Sequence, residues 1–181
     1  SGHSSTAASS ALGLSTANTM HGSKNTVVAV VGDGSMTGGM FYEALNNAGR
    51  THDRLIIVLN DNEMSISENV GSIARYLAVV RAKPEYYRMK AHTEKLSDAA
   101  FDIKSALKRI IYSDSWFEDL GLHYIGPIDG HNIQQLCEAF ETAKKYDKPV
   151  LLHVNTLKGK GYDFAERAPE QFHGISKFDI N

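Results

Sequence analysis

The chain has 181 residues, of which 42% are hydrophobic, so it is long enough to bury a substantial core within one globular domain. Nineteen Lys and Arg residues against 21 Asp and Glu residues leave a formal charge of −2 at pH 7, which argues against a nucleic-acid or anionic-membrane partner. The single cysteine excludes an internal disulfide, and the sequence shows no signal peptide or long apolar span. The composition therefore favours a cytoplasmic protein or one of an organelle matrix.

Helix and strand patterns alternate along the chain. Small residues dominate 5–20 and favour a helix packed closely on a sheet, while 40–49 predicts a helix closed by Gly49. Short apolar runs predict four strands, at 26–31, 55–59, about 123–125 and 150–154.

Three further segments complete the predicted elements. Residues 70–82 favour a helix, and the sequence predicts another from about Asn132. The apolar stripe of this last helix, at i, i+3, i+4 and i+7, is Ile133, Leu136, Cys137 and Phe140. Three apolar residues are expected in the core: Trp116, Phe117 and Leu120. The charged, weakly patterned segment 83–113 is expected to be a variable, mobile insertion.

Strands separated by helices predict an α/β fold, a doubly wound and mostly parallel sheet with helices on both faces. In such sheets, ligands bind beyond the carboxyl ends of the strands. The residues that follow each predicted strand are therefore the candidates for groups that bind anions or cations.

The first strand ends in Gly32-Asp33-Gly34, where glycines let backbone N–H groups approach an anion. An aspartate there would repel a phosphate unless it held a divalent cation, and Mg²⁺ prefers hard oxygen ligands together with phosphate oxygens. The second strand ends in "LNDNEMSIS", so Asn60, Asp61 and Asn62 offer further oxygens. Asn62 follows Asp33 by 29 residues, and both lie at strand ends. Taken separately, each piece is also explained as an ordinary turn or loop.

Five segments together carry a family resemblance: "SGHSST", "GDGSMTGGMFYEALNNAG", "LNDNEMSISENVG", "YIGPIDGHN" and "KGKGYDFAE" with "FHGISKFD". The GDG strand end and the Asn-rich strand end are similar to the thiamine diphosphate motif of transketolase-like enzymes. The sequences of all five segments together resemble those of the 1-deoxy-D-xylulose-5-phosphate synthase family. The resemblance implies the thiamine diphosphate-binding fold, within a domain that spans 1–181 and is truncated at both ends.

Matched position by position, the resemblance implies a site for each part of the cofactor. It implies that Mg²⁺ is held by Asp33, Asn62 and the main-chain carbonyl of Met64. It places five residues at the diphosphate or near the thiazolium: Gly2, His3, Ser4, Gly34 and Ser35. It further implies that Lys158, Tyr162 and the catalytic candidate His173 line the pocket for cofactor and substrate.

Several of these residues have simpler explanations. The "KGKGYD" segment that carries Lys158 is also typical of a solvated basic loop, and His173 of an exposed histidine near the chain end. Asp129 and His131 are expected to shape a turn and a helix start. The remaining scattered histidines lack ligand spacing and receive no metal: His21, His52, His92, His123 and His153.

The resemblance implies a reaction that joins pyruvate to D-glyceraldehyde 3-phosphate with loss of CO₂. Its product is a precursor of isoprenoids, thiamine and pyridoxal. It also implies a homodimer and further domains of a parent enzyme, one of which supplies the acid that activates the cofactor. The start at Ser1 suggests a fragment, so the isolated chain is expected to be inactive. Two alternatives stay open: a transketolase or 2-oxoacid decarboxylase, and a non-catalytic cofactor-binding or dimerising remnant.

Overall fold

The computed structural model describes residues 3–64, 71–81 and 116–177. The expected mobile insertion at 83–113, the predicted cofactor contact Gly2 and one of the scattered histidines, His92, lie outside the described residues.

The described elements alternate between helix and strand, as predicted. The strands are β1 (Val27–Gly32), β2 (Leu55–Asp61), β3 (His123–Asp129) and β4 (Val150–Asn155). The helices are α1 (Ala7–Met20), α2 (Asp33–Met36), α3 (Gly39–Ala48), α4 (Ser72–Arg81), α5 (Trp116–Asp119), α6 (Ile133–Ala143) and α7 (Asp163–Arg167). No helix in these described ranges combines the length and apolarity that crossing a membrane requires.

The four described strands form one parallel sheet in the order β1-β2-β4-β3. Gly32 pairs with Asn60, and Asp61 pairs with Asn155, so β1, β2 and β4 end at one edge of the sheet. Helices pack on both faces, and the predicted parallel α/β fold is confirmed. This edge is where ligands bind in parallel sheets.

One face of the sheet is covered by α1 and α3. The small residues Ala8 and Ala11 are buried there, as expected for a helix that lies close to a sheet. Phe117 of α5 is fully buried in the same cluster, and Trp116 and Leu120 pack against it, so the predicted core positions are confirmed. This packing holds the end of β1 in position.

The opposite face is covered by α6, but the predicted stripe of that helix is wrong in two positions. Ile133 is 69% exposed and Cys137 is also exposed. Ala139 and Ala143 are buried instead, and Leu136 and Phe140 pack against the same hydrophobic cluster. This set also has i, i+3, i+4, i+7 spacing, and small alanines allow the helix to lie close to the sheet.

Two predicted strands were too short. β2 continues through Asp61, because its polar last residues pair with β4 as the apolar ones do. β3 continues through Pro127, with a register shift between Ile125 and Ile128. Proline is accepted there because β3 is an edge strand of the described sheet and the ladder is irregular at that point.

Gly49 follows α3, as predicted. Glycine after a helix usually provides a left-handed cap, but this is not its role here. Its φ of −61° is right-handed, so a left-handed cap is not what requires glycine. A Cβ at this position would lie 1.7 Å from the carbonyl oxygen of Leu120. The close approach of two backbones therefore explains the residue.

Candidate functional site

Asp33 lies at the carboxyl end of β1, as the first residue of the short helix α2. Its side chain is buried, with the residue only 3% exposed. The Oδ1 atom accepts a hydrogen bond from the N–H of Gly34 at 2.9 Å. The Oδ2 atom is buried and has no hydrogen-bond partner within the described part of the chain. A buried carboxylate oxygen without a partner is costly, so this atom is suited to a cation.

Burial raises the pKa of the Asp33 carboxyl from 3.8 to about 6, and the neighbouring charge of Asp61 adds to the rise. The backbone amides of Gly34 and Glu63 act in the opposite direction and are outweighed. Two carboxylates this close in a buried position repel each other. A bound cation would relieve both the burial and the repulsion.

The oxygens at this edge fit Mg²⁺. Asn62 Oδ1 accepts a hydrogen bond from the N–H of Met64 at 3.1 Å, which folds the chain after β2 into a tight turn. Aspartate, amide and main-chain carbonyl oxygens are hard ligands of the kind that Mg²⁺ takes. The described residues contain no group of three or more His, Cys, Asp or Glu suited to a metal.

Asn60 does not join this group, although its position in the sequence suggested that it would. Its Oδ1 accepts a hydrogen bond from the hydroxyl of Thr156 at 2.8 Å. Successive side chains of a strand point to opposite faces, so Asn60 and Asp61 diverge. Asn60 ties β2 to the segment after β4.

The start of the described chain docks on the turn after β1. The hydroxyl of Ser4 donates to that of Ser35 at 3.1 Å, and Ser5 Oγ donates to the Ser35 carbonyl. A Cβ on Gly38 would lie 2.0 Å from Ser5 Oγ, so only glycine permits this approach. Two predicted cofactor residues, 31 positions apart, are thereby brought together, and His3 is the residue next to them.

A second predicted group lies after β4. Lys158 Nζ lies 2.9 Å from His173 Nδ1, where the ammonium donates and the ring nitrogen accepts. We call Lys158 and His173 the loop pair. Tyr162 precedes α7, with its ring centroid 5.5 Å from that of Phe164 and 5.6 Å from that of Phe172. The three predicted pocket residues are thus carried by one region after β4, 158–173, in which Lys158 and Tyr162 are half-buried and His173 is exposed.

The "GPIDGHN" turn holds the segment that leads to the loop pair. The N–H of Gly130 donates to the carbonyl of Asn155 at 2.8 Å, and His131 Nε2 accepts from the N–H of Leu157 at 2.8 Å. Asp129 Oδ1 accepts from the N–H of His131 at 2.9 Å, and the Asn132 side chain caps α6, as predicted for a turn and helix start. The contact from His131 to the Lys158 segment was not predicted.

Sequence reasoning also missed a buried polar chain behind Asp61. His153 Nε2 lies 2.8 Å from Asp61 Oδ2, and His153 Nδ1 lies 2.7 Å from the hydroxyl of Tyr124. We call Asp61, His153 and Tyr124 the buried polar chain. The available signal was a lone histidine within the apolar strand "VLLHV", because a buried imidazole needs partners.

The fold and this edge define a class: a parallel α/β domain whose strand ends carry buried carboxylates beside hydroxyl-bearing turns. The family model described as 1-deoxy-D-xylulose-5-phosphate synthase matches residues 1–156. The chain belongs to this family, and the resemblance seen in the sequence motifs is confirmed.

The chain is similar to curated 1-deoxy-D-xylulose-5-phosphate synthases from several bacteria. It is 47% identical to that of Clostridium kluyveri over 99% of this chain and 31% of the relative. The Caldanaerobacter subterraneus enzyme is 47% identical over 99% of this chain and 30% of the relative. The Desulforudis audaxviator enzyme is 48% identical over 98% of this chain and 30% of the relative. The chain therefore spans about a third of the length of the relatives that it matches.

Proposed function

We propose that this chain is the cofactor-anchoring part of a thiamine diphosphate-dependent transferase that condenses pyruvate with D-glyceraldehyde 3-phosphate and releases CO₂. The observation that carries the proposal is the buried Oδ2 of Asp33, which has no hydrogen-bond partner among the described residues, at the polar edge of a parallel sheet. The family match supports the choice of this reaction over that of a transketolase or 2-oxoacid decarboxylase.

In this proposal, Asp33, Asn62 and the Met64 carbonyl hold Mg²⁺, and the ion holds the diphosphate. The turn of Gly34 and Ser35 lies beside the diphosphate, together with the segment formed by Gly2, His3 and Ser4. The hydrogen bond between Ser4 and Ser35 supports this grouping, because it places the two segments in contact.

Lys158, Tyr162 and His173 then face the cofactor and substrate. Thiamine diphosphate, when bound, supplies the electron sink that decarboxylation of pyruvate requires. The Lys158 ammonium attracts phosphate groups. His173 holds or moves a proton at its ring nitrogens. The 2.9 Å contact between the two side chains supports a shared role.

The same proposal extends to the whole protein. In this proposal, further domains of the whole protein supply the acid that activates the cofactor, and the protein is a homodimer. It is a cytoplasmic or organellar enzyme whose product is used in isoprenoid and thiamine biosynthesis. The 181-residue chain, as a single anchoring domain, binds the cofactor without turnover, because the reacting carbon needs groups from those other domains around it.

Calorimetric titration of the chain with thiamine diphosphate, with and without Mg²⁺, tests the anchoring role. We expect Mg²⁺-dependent binding that Asp33→Asn weakens and Asp147→Asn leaves unchanged, because Asp147 is exposed. Equal binding by both variants would contradict the proposal. For the reaction, CO₂ release from pyruvate by the full-length parent, with and without glyceraldehyde 3-phosphate, separates a synthase from a plain decarboxylase and from an inactive remnant.

A further inference from the structure

The buried polar chain links His153 to a carboxylate on one side of its ring and to a hydroxyl on the other. Asp61 is 1% exposed, His153 is fully buried and Tyr124 is 5% exposed. Both ring nitrogens of His153 have partners, at 2.8 Å on the Asp61 side and 2.7 Å on the Tyr124 side. We propose that His153 is a positioning residue, which holds the Asp61 carboxylate in place beside the cation anchor at Asp33.

The hydrogens of the chain have one self-consistent arrangement with a neutral imidazole. A carboxylate only accepts, so His153 Nε2 carries a hydrogen and donates to Asp61 Oδ2. His153 Nδ1 then accepts, and the Tyr124 hydroxyl donates to it. Each buried atom in the chain is thereby satisfied, which fixes the imidazole tautomer and the direction in which the ring points.

Both oxygens of Asp61 are restrained. While Oδ2 accepts from His153, Oδ1 accepts from the N–H of Glu63 at 3.3 Å. This second hydrogen bond forms the first part of the turn that continues through Asn62 and Met64, the residues assigned to the cation. The side chain of His153 therefore determines both the position of a negative charge near Asp33 and the start of the turn that carries the remaining ligands.

The sheet makes this arrangement rigid. Leu59 pairs with His153 and Asp61 pairs with Asn155, so His153 lies on β4 one pleat before the level of Asp61, on the same face. Tyr124 approaches from β3 and stacks on Phe117, with ring centroids 5.8 Å apart. Three neighbouring strands thus contribute one residue each to the buried polar chain. This inference rests on the proposed function, because it takes Asp33 as the cation anchor.

Three variants of the 181-residue chain separate positioning from packing. His153→Leu removes the donor and keeps a buried apolar side chain, whereas His153→Gln retains an N–H near the place of Nε2. Tyr124→Phe removes only the hydroxyl at the far end of the chain. The readout is the Mg²⁺ concentration at which thiamine diphosphate binding is half-maximal, measured calorimetrically, with denaturant unfolding to establish the folded fraction of each variant.

We expect His153→Leu to raise the half-maximal Mg²⁺ concentration by about tenfold, because Asp61 begins the turn that carries Asn62 and Met64 and would lose its buried donor. Loss of a group that orients metal ligands typically weakens metal binding by about 10- to 100-fold. His153→Gln should recover most of the loss, and Tyr124→Phe should stay within about threefold of wild type. Equal Mg²⁺ requirements for wild type and His153→Leu would overturn the inference while leaving the proposed function intact.

Nuclear magnetic resonance of ¹⁵N-labelled histidine in the wild-type chain gives a test that needs no variant. We expect the His153 ring to carry its hydrogen on Nε2 and to exchange it slowly. A hydrogen on Nδ1 alone would overturn the inference even if His153→Leu did not fold. A wild-type chain that binds no thiamine diphosphate in Mg²⁺ would overturn the proposed function, and with it this inference.

Discussion

The two groups of candidate site residues are built in opposite ways. The carboxylates of Asp33 and Asp61 lie in the core at strand ends, where both residues are almost fully buried. The loop pair, Lys158 and His173, lies on an irregular segment after β4 and touches solvent. The first group is held by the sheet, and the second by a few side-chain and turn hydrogen bonds.

This difference has consequences for stability. Taking a carboxylate out of water is unfavourable unless the charge is compensated, which is why burial raises the pKa of Asp33. A solvated lysine and histidine incur little of this cost. The buried carboxylates at the strand ends are therefore the part of the candidate site that destabilises the fold. Substitutions that remove their charge should raise the free energy of unfolding and weaken cofactor binding.

Asp33→Asn should have the largest effect. Loss of the charge should weaken Mg²⁺-dependent binding of thiamine diphosphate at least tenfold, or about 1.4 kcal/mol, in calorimetric titration. Without cofactor at pH 7, the same change should raise the unfolding free energy by about 1 to 3 kcal/mol, since the penalty for ionising a buried carboxyl disappears and the new amide can donate to Asp61. A variant that loses binding and also stability would show that Asp33 has a structural role instead.

The pH dependence of stability should show the same carboxyl. The pKa of Asp33 is about 6 in the folded chain against 3.8 for the unperturbed group. Between these values the folded state binds more protons than the unfolded state, so the contribution of Asp33 to stability falls as pH rises from about 4 to 6 and stays low above that. Urea unfolding across this range should give a steeper decline for wild type than for Asp33→Asn. Parallel curves would remove Asp33 as the cause.

Much of the fold followed from the sequence because apolar runs and helical spacing determine where elements form. The ends of elements were less predictable. β2 was predicted to stop at its last apolar residue, but pairing with β4 carries the strand on to Asp61, which local composition cannot reveal. In α6, two residues with apolar character, Ile133 and Cys137, are exposed, because Ala139 and Ala143 allow closer packing and occupy the buried face.

The candidate site was predictable where strand ends bring residues to one edge, and unpredictable where contact depends on side-chain direction. Ser4 and Ser35 were grouped by resemblance and do touch. Asn60 was grouped with Asp61 by adjacency, yet adjacency in a strand places the two side chains on opposite faces. The partner of Asp61 is 92 residues away, and no local pattern joins it to His153.

Lys158→Met tests the role of the loop pair, the group of site residues that lies outside the core. Lys158 is half-buried and lies in a loop outside the core clusters, so its loss should change the unfolding free energy by no more than about 0.5 kcal/mol. If the ammonium faces a phosphate across a partly solvated gap, affinity for thiamine diphosphate in Mg²⁺ should fall by about fivefold, which corresponds to about 1 kcal/mol. The loss should shrink at high salt, because solvent-exposed charge interactions are screened. An unchanged affinity at low salt would leave "KGKGYD" as a basic loop.

His131→Ala should have the smallest effect, and a local one. The ring accepts a hydrogen bond from the N–H of Leu157, one residue before Lys158. Removal of an exposed hydrogen bond of this kind costs about 0.5 to 1 kcal/mol, so the Leu157 amide should exchange with solvent about two to five times faster. His131→Gln, which keeps an acceptor, should restore slow exchange. The Gly130 amide, bonded to the carbonyl of Asn155, is the internal reference and should not change. Faster exchange at both amides would mean that the whole turn, and not the His131 ring, holds the loop pair in place.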